Sequence, residues 1–324
     1  MRVGCLVVGL LWACITAGIH SAVAQGFPSK PVRVIVPGPP AGGADVVARA
    51  LGARMSQVLG QQIVIDNRAG ANGLIATELT AKSSPDGYTV ILGTSSAFTL
   101  NPNLSANVPY DPIKSFAPVS FVCSAPLLLV VHPSVPVNTV RDLIKLAKAK
   151  PGQIFYASNG TGSLSHLTTE LFKNAAGVDM VHVPYKGGTP AVIDTISGQV
   201  SLIITAIPTL LTQVRAGRVR AIAVTAEKRS PAFPNVPTAA ESGLPGFSSV
   251  QWYAMFAPAG TPSQTVQRLN SAVNKALSSP EVEKTFVREG LEGKGSSSQE
   301  LAAFLASDLA KWAKVIKAAK IEVE

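Results

Sequence analysis

The sequence has few cysteines, few charged residues and few aromatic residues. Three cysteines cannot build a disulfide scaffold in a chain of 324 residues. Aromatic residues make up only 6%, and the basic residues are dispersed, which disfavours nucleic acid as a partner. Charged residues are 15% and hydrophobic residues 47% of the chain, so intrinsic disorder is excluded and a large core is available. The glycines and prolines follow no period, which excludes a fibrous protein.

The sequence also lacks the common catalytic and metal-binding motifs. It contains no HExxH, CxxC, GxSxG or phosphate-loop motif. His132, His166 and His182 do not have the spacing of metal ligands. The acidic residues are spread along the chain, with no pair on one helical face. We therefore predict that the protein is not an enzyme and that it holds neither a metal nor a cofactor.

The chain begins with a segment typical of a cleaved export signal. Met1 and Arg2 precede an apolar run over residues 3–16, and Ala22 and Ala24 occupy positions −3 and −1 of a cleavage site. The apolar run is too short for a permanent membrane-spanning helix. We predict that residues 1–24 form a signal peptide, that cleavage follows Ala24 and that the mature protein is exported.

A second interpretation of this segment is a lipoprotein box at residues 11–14, which would attach a lipid to Cys14. Trp12 is too bulky for such a box, so cleavage after residue 24 is the favoured interpretation. That cleavage also removes Cys5 and leaves Cys123 as the one cysteine, with no partner for an internal disulfide. Cys123 follows two apolar residues, which predicts a buried, unreactive side chain.

Strand-like and helix-like segments alternate along most of the chain. The apolar patterns predict strands at residues 32–36, 63–65, 89–92, 127–131, 154–157, 180–183, 202–204, 219–224 and 250–257. They predict helices at 47–58, 74–82, 139–150, 164–176, 191–197, 210–216, 263–277 and 297–319. Repeated strand–helix units are typical of α/β proteins with parallel sheets that helices cover on both faces.

Two proline-rich stretches, 101–118 and 230–246, interrupt this alternation. Between them lies a block of the size of a domain. We predict that residues 25–126 plus 250–324 form lobe 1 and that residues 127–249 form lobe 2, inserted into lobe 1. The chain then crosses between the lobes twice, and two lobes joined in this way can close on a ligand in the cleft between them.

Four loops rich in glycine and hydroxyl groups follow predicted strands, at 37–45, 93–96, 158–163 and 184–189. Open α/β sheets bind ligands at the carboxyl ends of their strands, and free N–H groups at helix starts bind anions. One such loop is an ordinary turn, but four in two lobes indicate a binding site. The candidate ligand-binding residues are Ala41, Gly42, Gly43, Asp45, Thr94, Ser95, Ser96, Ser158, Asn159, Gly160, Thr161, Gly162, Ser163, His166, Tyr185, Gly187, Gly188 and Thr205.

Some of these residues have a structural alternative. Asp45, close to a helix start, can cap that helix instead of contacting a ligand. His166 lies inside a predicted helix and can be a packed histidine. Lys186 is the only basic residue in the four loops, and it can be a solvated turn residue next to Tyr185. The sequence leaves these alternatives open.

Short motifs along the chain occur in the order found in one known family. They cover residues 28–37, 42–49, 66–73, 84–89, 110–112, 116–119, 157–163, 182–187, 236–238, 241–243 and 252–253. Examples are GGADVVAR at 42–49 and ASNGTGS at 157–163. The ordered set resembles the Bug-type, TctC-like solute-binding proteins of tripartite tricarboxylate transporters. This resemblance extends over essentially all of the chain after the predicted signal peptide.

The resemblance implies a periplasmic receptor with the type II, two-lobed binding-protein fold, in which two doubly wound domains share a double-crossover hinge. It implies a small organic carboxylate as ligand, held mainly by main-chain N–H groups, hydroxyl groups and ordered water. It also implies the membrane permease subunits of a tripartite tricarboxylate transporter as partner. We expect a monomer that binds no nucleic acid.

Two other functions stay open. Such a receptor can serve instead as the ligand-sensing accessory of a membrane signalling protein. An exported enzyme can use the same scaffold, although its candidate reactive groups, Cys123 and His166, have no partner in the sequence. The first loop also departs from the family pattern, because residues 38–41 lack the usual aromatic side chain and carry Ala41 in place of glycine. The identity of the carboxylate therefore stays open as well.

Overall fold

The structure is a computed structural model that describes residues 26–105, 107–185 and 187–319. The predicted signal peptide and Lys186 lie outside the described residues. Within these ranges, no helix is both long enough and apolar enough to cross a membrane. The described part of the chain also contains no cluster of histidine, cysteine and acidic side chains suited to a metal ion.

The order of helices and strands follows the predicted alternation. The first elements are β1 (Val32–Val36), α1 (Gly43–Leu59), β2 (Ile63–Asn67), a 3₁₀ helix (Ala71–Gly73), α2 (Leu74–Ala81), β3 (Thr89–Thr94), a π-helix (Ser96–Leu100), α3 (Asn101–Leu104) and β4 (Phe116–Val131). The middle elements are α4 (Val140–Ala149), β5 (Phe155–Ser158), α5 (Leu164–Ala176), β6 (Val181–Pro184), α6 (Gly188–Ile196), β7 (Leu202–Ala206), α7 (Ile207–Arg215) and β8 (Arg220–Val224). The last elements are β9 (Val250–Pro258), α8 (Ser263–Leu277), α9 (Pro280–Arg288), β10 (Glu292–Gly293) and α10 (Ser298–Ala319). All predicted strands and helices are present, and α5 and α8 have the predicted bounds.

The strands form two sheets that share β4. In lobe 1 the order is β2-β1-β3-β9-β4, with β1 parallel to β2 and β3, and with β9 antiparallel to its neighbours. In lobe 2 the order is β4-β7-β5-β6, with β5 parallel to both neighbours and with β8 also paired to β4. Residues 116–126 of β4 pair with β9, and residues 127–131 pair with β7 and β8. The chain therefore passes from one lobe to the other inside a single strand.

The first part of β4 was wrongly predicted as a loop up to residue 118. Pro118 contributed to this, because proline cannot donate a ladder hydrogen bond and indicates a break. In the structure, the register between β4 and β9 shifts just after Pro118, and Pro126 is the last residue paired with β9 before β4 turns to lobe 2. Both prolines thus occupy positions where a sheet tolerates them, at a bulge and at a transition.

Helices cover both faces of each sheet, which confirms the doubly wound α/β architecture. In lobe 1, α1, α8 and α9 pack on one face, where Leu51 joins Val34 in a buried cluster. The π-helix, α2 and the start of α10 pack on the opposite face, where Leu301 joins Ile35. In lobe 2, α4 and α5 cover one face, and α6 and α7 cover the other. Cys123 is fully buried in the first cluster, which confirms its predicted burial, and burial raises the pKa of its thiol.

The C-terminal helix α10 contacts both lobes. Its start is held by the predicted capping box, in which Ser297 N donates to Glu300 Oε2 (2.8 Å) and Glu300 N donates to Ser297 Oγ (3.1 Å). Its first half packs in lobe 1, and Trp312 and Ile316 pack in the core of lobe 2. The predicted residue boundaries between the lobes, at 126/127 and 249/250, stay a prediction. Helix α10 nevertheless adds a third connection to the two chain crossings.

Candidate functional site

The carboxyl ends of the parallel strands in the two lobes point towards the same gap. The end of β3, Thr94, is in register with Tyr253 of β9, which is in register with Cys123 of β4. The end of β7, Ala206, is in register with Leu127 of β4. These two levels are four residue steps apart along β4, which at about 3.3 Å per residue is about 13 Å. The loops after β1 and β3 therefore face the loops after β5, β6 and β7 across a gap, which we call the cleft.

The first loop leads into α1 and is held by Asp45. Gly42 is the N-cap residue of α1, and Ala41, just before it, has a positive φ of 62°. Asp45 Oδ2 accepts hydrogen bonds from the Ala41 N–H (2.8 Å) and from Arg49 Nε (2.8 Å). The Arg49 guanidinium holds the pKa of Asp45 below its usual value, against the effect of burial. Asp45 is therefore engaged with the backbone just before α1 and with Arg49, whereas the N-cap residue Gly42 has no side-chain cap.

A tyrosine of β9 lies against this helix start. A Cβ atom added to Gly43 would lie 2.9 Å from Tyr253 Oη, so a larger residue at the first position of α1 would displace this hydroxyl. Tyr253 is 7% exposed, and burial raises the pKa of its phenol. Tyr253 was not among the predicted site residues, because those were taken mainly from loops and Tyr253 lies inside a strand. Its place in the 252–253 motif was the one indication in the sequence that it matters.

The second loop follows β3 and continues directly into the π-helix. The backbone N–H of Ala97 donates to Thr94 Oγ1 (3.3 Å), which closes the turn. The hydroxyl of Ser95 is buried and has no hydrogen-bond partner among the described residues. Ser96 is the first residue of the π-helix, and it is half-buried. Single π turns of this kind are frequent at functional sites.

A strained turn next to these loops was not among the predicted site residues. Ala71, Asn72 and Gly73 after β2 all have positive φ values, of 45°, 52° and 91°. A Cβ atom on Gly73 would lie 3.0 Å from Pro37 and 3.2 Å from Ala97, so the turn packs between the first loop and the π-helix. Strain of this kind clusters at ligand-binding sites. The Asn-Gly pair was the signal in the sequence.

The third loop connects β5 to α5 and joins the other lobe 2 loops. Ser163 caps α5, because its Oγ accepts from the His166 N–H (3.3 Å). Gly160 and Gly162 both have positive φ, at 128° and 73°. The side chain of Asn159 contacts Thr205 at the end of β7, with 3.3 Å between Nδ2 and Oγ1. The structure thus brings Ser158 to Ser163 and Thr205 together, and within this group Thr161 is exposed.

The fourth loop is tied to the third loop and to α6. The Gly187 N–H donates to the Asn159 carbonyl (3.2 Å), and Gly187 and Gly188 form the N-cap and first residue of α6. Tyr185 Oη donates to Asp194 Oδ2 of α6 (2.8 Å). Burial, together with that carboxylate, raises the pKa of Tyr185 to about 12. The phenol of Tyr185 therefore stabilises the loop through α6.

His166 and His182 lie side by side behind the third loop. Their imidazole rings are stacked, with centroids 3.8 Å apart and planes within 8°. His166 Nδ1 accepts from the Gly162 N–H (3.2 Å), and His182 Nε2 lies 2.6 Å from Ser158 Oγ. Burial lowers the pKa of both imidazoles. His166, predicted as a ligand contact, is here engaged with the loop backbone.

Two cavities lie away from the cleft loops. One, of about 830 Å³, lies between α10, β4 and residues 226–228, and the other, of about 610 Å³, lies beside α5. Neither is lined by a predicted ligand-binding residue. The polar groups of the cleft loops include main-chain N–H groups and hydroxyls.

Comparison with known proteins identifies a family. The family model for the tripartite tricarboxylate transporter family receptor matches residues 47–321. BugT of Bordetella pertussis is 40% identical over 313 residues, which are 96% of this chain and 95% of BugT. Among solved structures, Rpa4515 of R. palustris with adipate is 39% identical, with a TM-score of 0.82, covering 91% of this chain and 99% of that one. MatC of Rhodopseudomonas palustris with bound malate is 33% identical, with a TM-score of 0.78, covering 90% of this chain and 100% of that one.

These similarities extend over nearly the whole chain and agree with the sequence motifs. The periplasmic binding protein BugD, 34% identical, also matches, with a TM-score of 0.79, covering 92% of this chain and 100% of BugD. The predicted two-lobed fold and the predicted absence of enzymatic function are therefore confirmed. The chain belongs to the tripartite tricarboxylate transporter receptor family, whose members are periplasmic solute-binding receptors and not enzymes.

Proposed function

We propose that this receptor captures a small organic carboxylate between its two lobes and delivers it to a tripartite tricarboxylate-type membrane transporter. The main support is the set of helix starts that face the cleft. α1, α5, α6 and the π-helix each begin in a loop after a strand, at Gly42, Ser163, Gly187 and Ser95. Free N–H groups and helix dipoles at such positions favour an anion. Two relatives, solved with adipate and malate, bind carboxylates.

The ligand-binding residues in this proposal are those predicted from the four loops. In lobe 1, the amide of Gly43 at the start of α1 and the hydroxyl of Ser95, which has no partner among the described residues, are available to a carboxylate. In lobe 2, we propose the exposed Thr161 and the side chain of Asn159 as contacts, because the N–H groups of Gly160 and Gly162 already donate to Ser158 Oγ and His166 Nδ1. Asp45 contributes indirectly, because its charge is paired with Arg49 and it holds the first loop in place.

A thermal-shift screen with mono-, di- and tricarboxylates, followed by calorimetry, tests this proposal. We expect saturable binding of at least one carboxylate, and a ligand at one hundred times its Kd should stabilise the fold by about 2.7 kcal/mol. The same incubations should leave the carboxylate chemically unchanged. Failure of the whole panel to bind would contradict the proposed ligand class, and turnover would indicate an enzyme.

We predict that Lys186→Ala changes carboxylate affinity by no more than about 1 kcal/mol, the scale of an exposed ion pair. The reason is that main-chain N–H groups and hydroxyls, and not a side-chain cation, supply most of the contacts in the cleft. Calorimetric titration of the variant and the wild type gives the comparison. Complete loss of binding would show that a lysine–carboxylate ion pair dominates.

We predict that ligand binding closes the two lobes. Both chain crossings meet at Thr225, whose N–H donates to the Leu127 carbonyl (2.9 Å) and whose carbonyl accepts from the Ser249 N–H (2.9 Å). Such short connections can bend while each lobe stays rigid. Small-angle scattering should give a smaller radius of gyration at saturating ligand. An unchanged radius, with binding confirmed by calorimetry, would contradict closure.

We propose that the protein acts as a periplasmic monomer after removal of its signal peptide. Cleavage after Ala24 leaves Gln25 at the N-terminus. The intact mass of the protein recovered from the periplasm should correspond to residues 25–324, with or without cyclisation of the terminal glutamine. A mass that includes a lipidated Cys14 would favour the lipoprotein interpretation. Co-purification with permease subunits tests the transporter partnership.

A further inference from the structure

Three aromatic rings form a stack directly behind the third loop. His182 of β6 lies between Tyr156 of β5 and His166 of α5, with centroid distances of 5.0 Å and 3.8 Å and interplanar angles of 19° and 8°. Tyr156 is fully buried, and His166 is 6% exposed. The three rings come from three consecutive elements of lobe 2, so the stack fixes the place from which residues 158–163 extend.

Each imidazole is connected to a backbone amide of this loop. His166 Nδ1 accepts a hydrogen bond directly from the Gly162 N–H (3.2 Å). His182 acts through Ser158, whose Oγ is 2.6 Å from His182 Nε2 and accepts from the Gly160 N–H (3.1 Å). Gly160 and Gly162 are the two residues of the loop with positive φ. The histidines thus restrain the two most flexible positions of the loop.

The hydrogen bond from the Gly162 N–H requires a neutral His166. A nitrogen that accepts a hydrogen bond carries no proton, so His166 is the tautomer protonated at Nε2. Protonation of Nδ1 would place two N–H groups against each other at Gly162, and two imidazolium rings 3.8 Å apart would repel each other. The charged neighbours, Glu170 and Lys173, both on α5, are paired at 2.8 Å. Among the described residues, the Tyr156 phenol, which donates to Glu170, is a further titratable neighbour.

We propose that His166 and His182 are positioning residues of the receptor: as a neutral stacked pair they hold residues 158–163 in the ligand-binding geometry, and protonation of the pair releases this loop. The loop's role in holding a carboxylate rests on the proposed function. The restraint of the loop by the two histidines does not depend on that role.

The pH dependence follows from the environment of the two rings. Burial lowers the pKa of His166, and burial together with the adjacent His166 lowers the pKa of His182 to about 4. The unfolded chain has histidines with their ordinary pKa of about 6.5. As the pH falls from 6.5 towards 4, the unfolded or loosened loop takes up protons that the closed loop excludes, so order in the loop is lost in this window. Above pH 6.5 the restraint is complete.

Two variants of His166 separate the hydrogen bond from the stack. His166→Phe keeps an aromatic ring against His182 but removes the acceptor for the Gly162 N–H. His166→Asn places an amide oxygen close to the position of Nδ1 and therefore keeps an acceptor that does not titrate. Circular dichroism first establishes that each variant is folded, and the wild type alone, measured across pH, provides the test if neither variant folds.

Amide hydrogen exchange of the ligand-free protein is the direct measurement. After correction for intrinsic rates, we expect the protection of residues 158–163 at pH 7 to be about tenfold lower in His166→Phe, the scale of one lost hydrogen bond, and close to wild type in His166→Asn. In the wild type, this protection should fall between pH 6.5 and 4 more steeply than that of α4 in the same lobe. Equal protection in the Phe variant, or loop protection that follows α4 at all pH values, would overturn the proposal.

Calorimetry with adipate and malate as probes then connects the loop to binding. The wild type should lose affinity between pH 6.5 and 4 by a larger factor than His166→Asn, in which one titrating group is absent. Protonation of the probes affects both proteins equally and therefore cancels in the comparison. If neither probe binds at pH 7, the exchange experiment still decides the role of the histidines, and the carboxylate screen decides the proposed function separately.

Discussion

A Gly160→Val variant is expected to bind its carboxylate at least about tenfold more weakly than the wild type, equivalent to about 1.4 kcal/mol. Gly160 has a φ of 128°, a conformation that branched side chains rarely adopt, and a Cβ atom there would lie 3.2 Å from the Tyr185 carbonyl oxygen. The valine would therefore strain the third loop and displace the amides that follow. Calorimetric titration with the carboxylate selected by the screen measures the effect.

Gly243→Val provides a matched control for backbone strain. Gly243 has a comparable φ of 115°, but its Cβ atom would meet only the side chain of Arg141 at 3.5 Å, on the α4 side of lobe 2. We expect Gly243→Val to lower the free energy of unfolding by about 1–3 kcal/mol without a matching loss of affinity. Normal carboxylate binding by Gly160→Val together with loss of binding in Lys186→Ala would contradict this proposal. It would show that an ion pair with Lys186, and not the main-chain N–H groups, holds the carboxylate.

The sequence predicted the βα alternation well because local patterns determine it. Strands such as β1 and β7 are short runs of β-branched and apolar residues, and α5 and α8 have clear apolar periodicity with recognisable ends. The glycine-rich loops were visible for the same reason, since a strand–turn–helix boundary is a local feature. Their meeting at one cleft follows from the general rule for strand ends in open sheets.

Features that depend on distant parts of the chain were missed. Pro118 in β4 indicated a loop, although a bulge accommodates it. Helix α9 was not predicted either. It begins at Pro280, and proline is well tolerated in the first turn of a helix. Tyr253 meets Gly43 only because β9 returns beside β3. His166 and His182 stack only after β5, β6 and α5 have packed together, so the spacing of the two histidines in the sequence does not predict the contact.

The role of α10 also depends on tertiary structure. Its periodicity shows one long amphipathic helix, but only the structure shows that successive turns face different cores. Asp308, between the two halves, accepts hydrogen bonds from Trp252 Nε1 (2.8 Å) and from Thr99 Oγ1 of the π-helix (3.0 Å). The helix that stabilises both lobes is thus connected to the segment that begins at Ser95. The stability of lobe 2 should depend on residues close to the C-terminus of the described chain.

Trp312→Ala is expected to lower the free energy of unfolding by about 3–5 kcal/mol, the range for removing a large aromatic side chain from a core. Trp312 is 1% exposed and packs with α4, α5 and β4 residues in lobe 2, although its own helix begins in lobe 1. The decrease in the free energy of unfolding should exceed that of a typical point substitution, because the cavity left by Trp312 would lie where α10 joins the lobes. Lys314→Ala, exposed on the same helix, should cost less than about 0.5 kcal/mol.

Urea unfolding followed by far-ultraviolet circular dichroism measures both variants, since Trp312 is itself a fluorophore and fluorescence would not be comparable. A single transition shifted to lower urea in Trp312→Ala would show that the two lobes unfold together. Two separated transitions would show that α10 carries the coupling between the lobes, because lobe 2 would then unfold first. Equal stability of Trp312→Ala and Lys314→Ala would contradict the packing of α10 in lobe 2, since a buried indole cannot be removed from a core without a large loss of contacts.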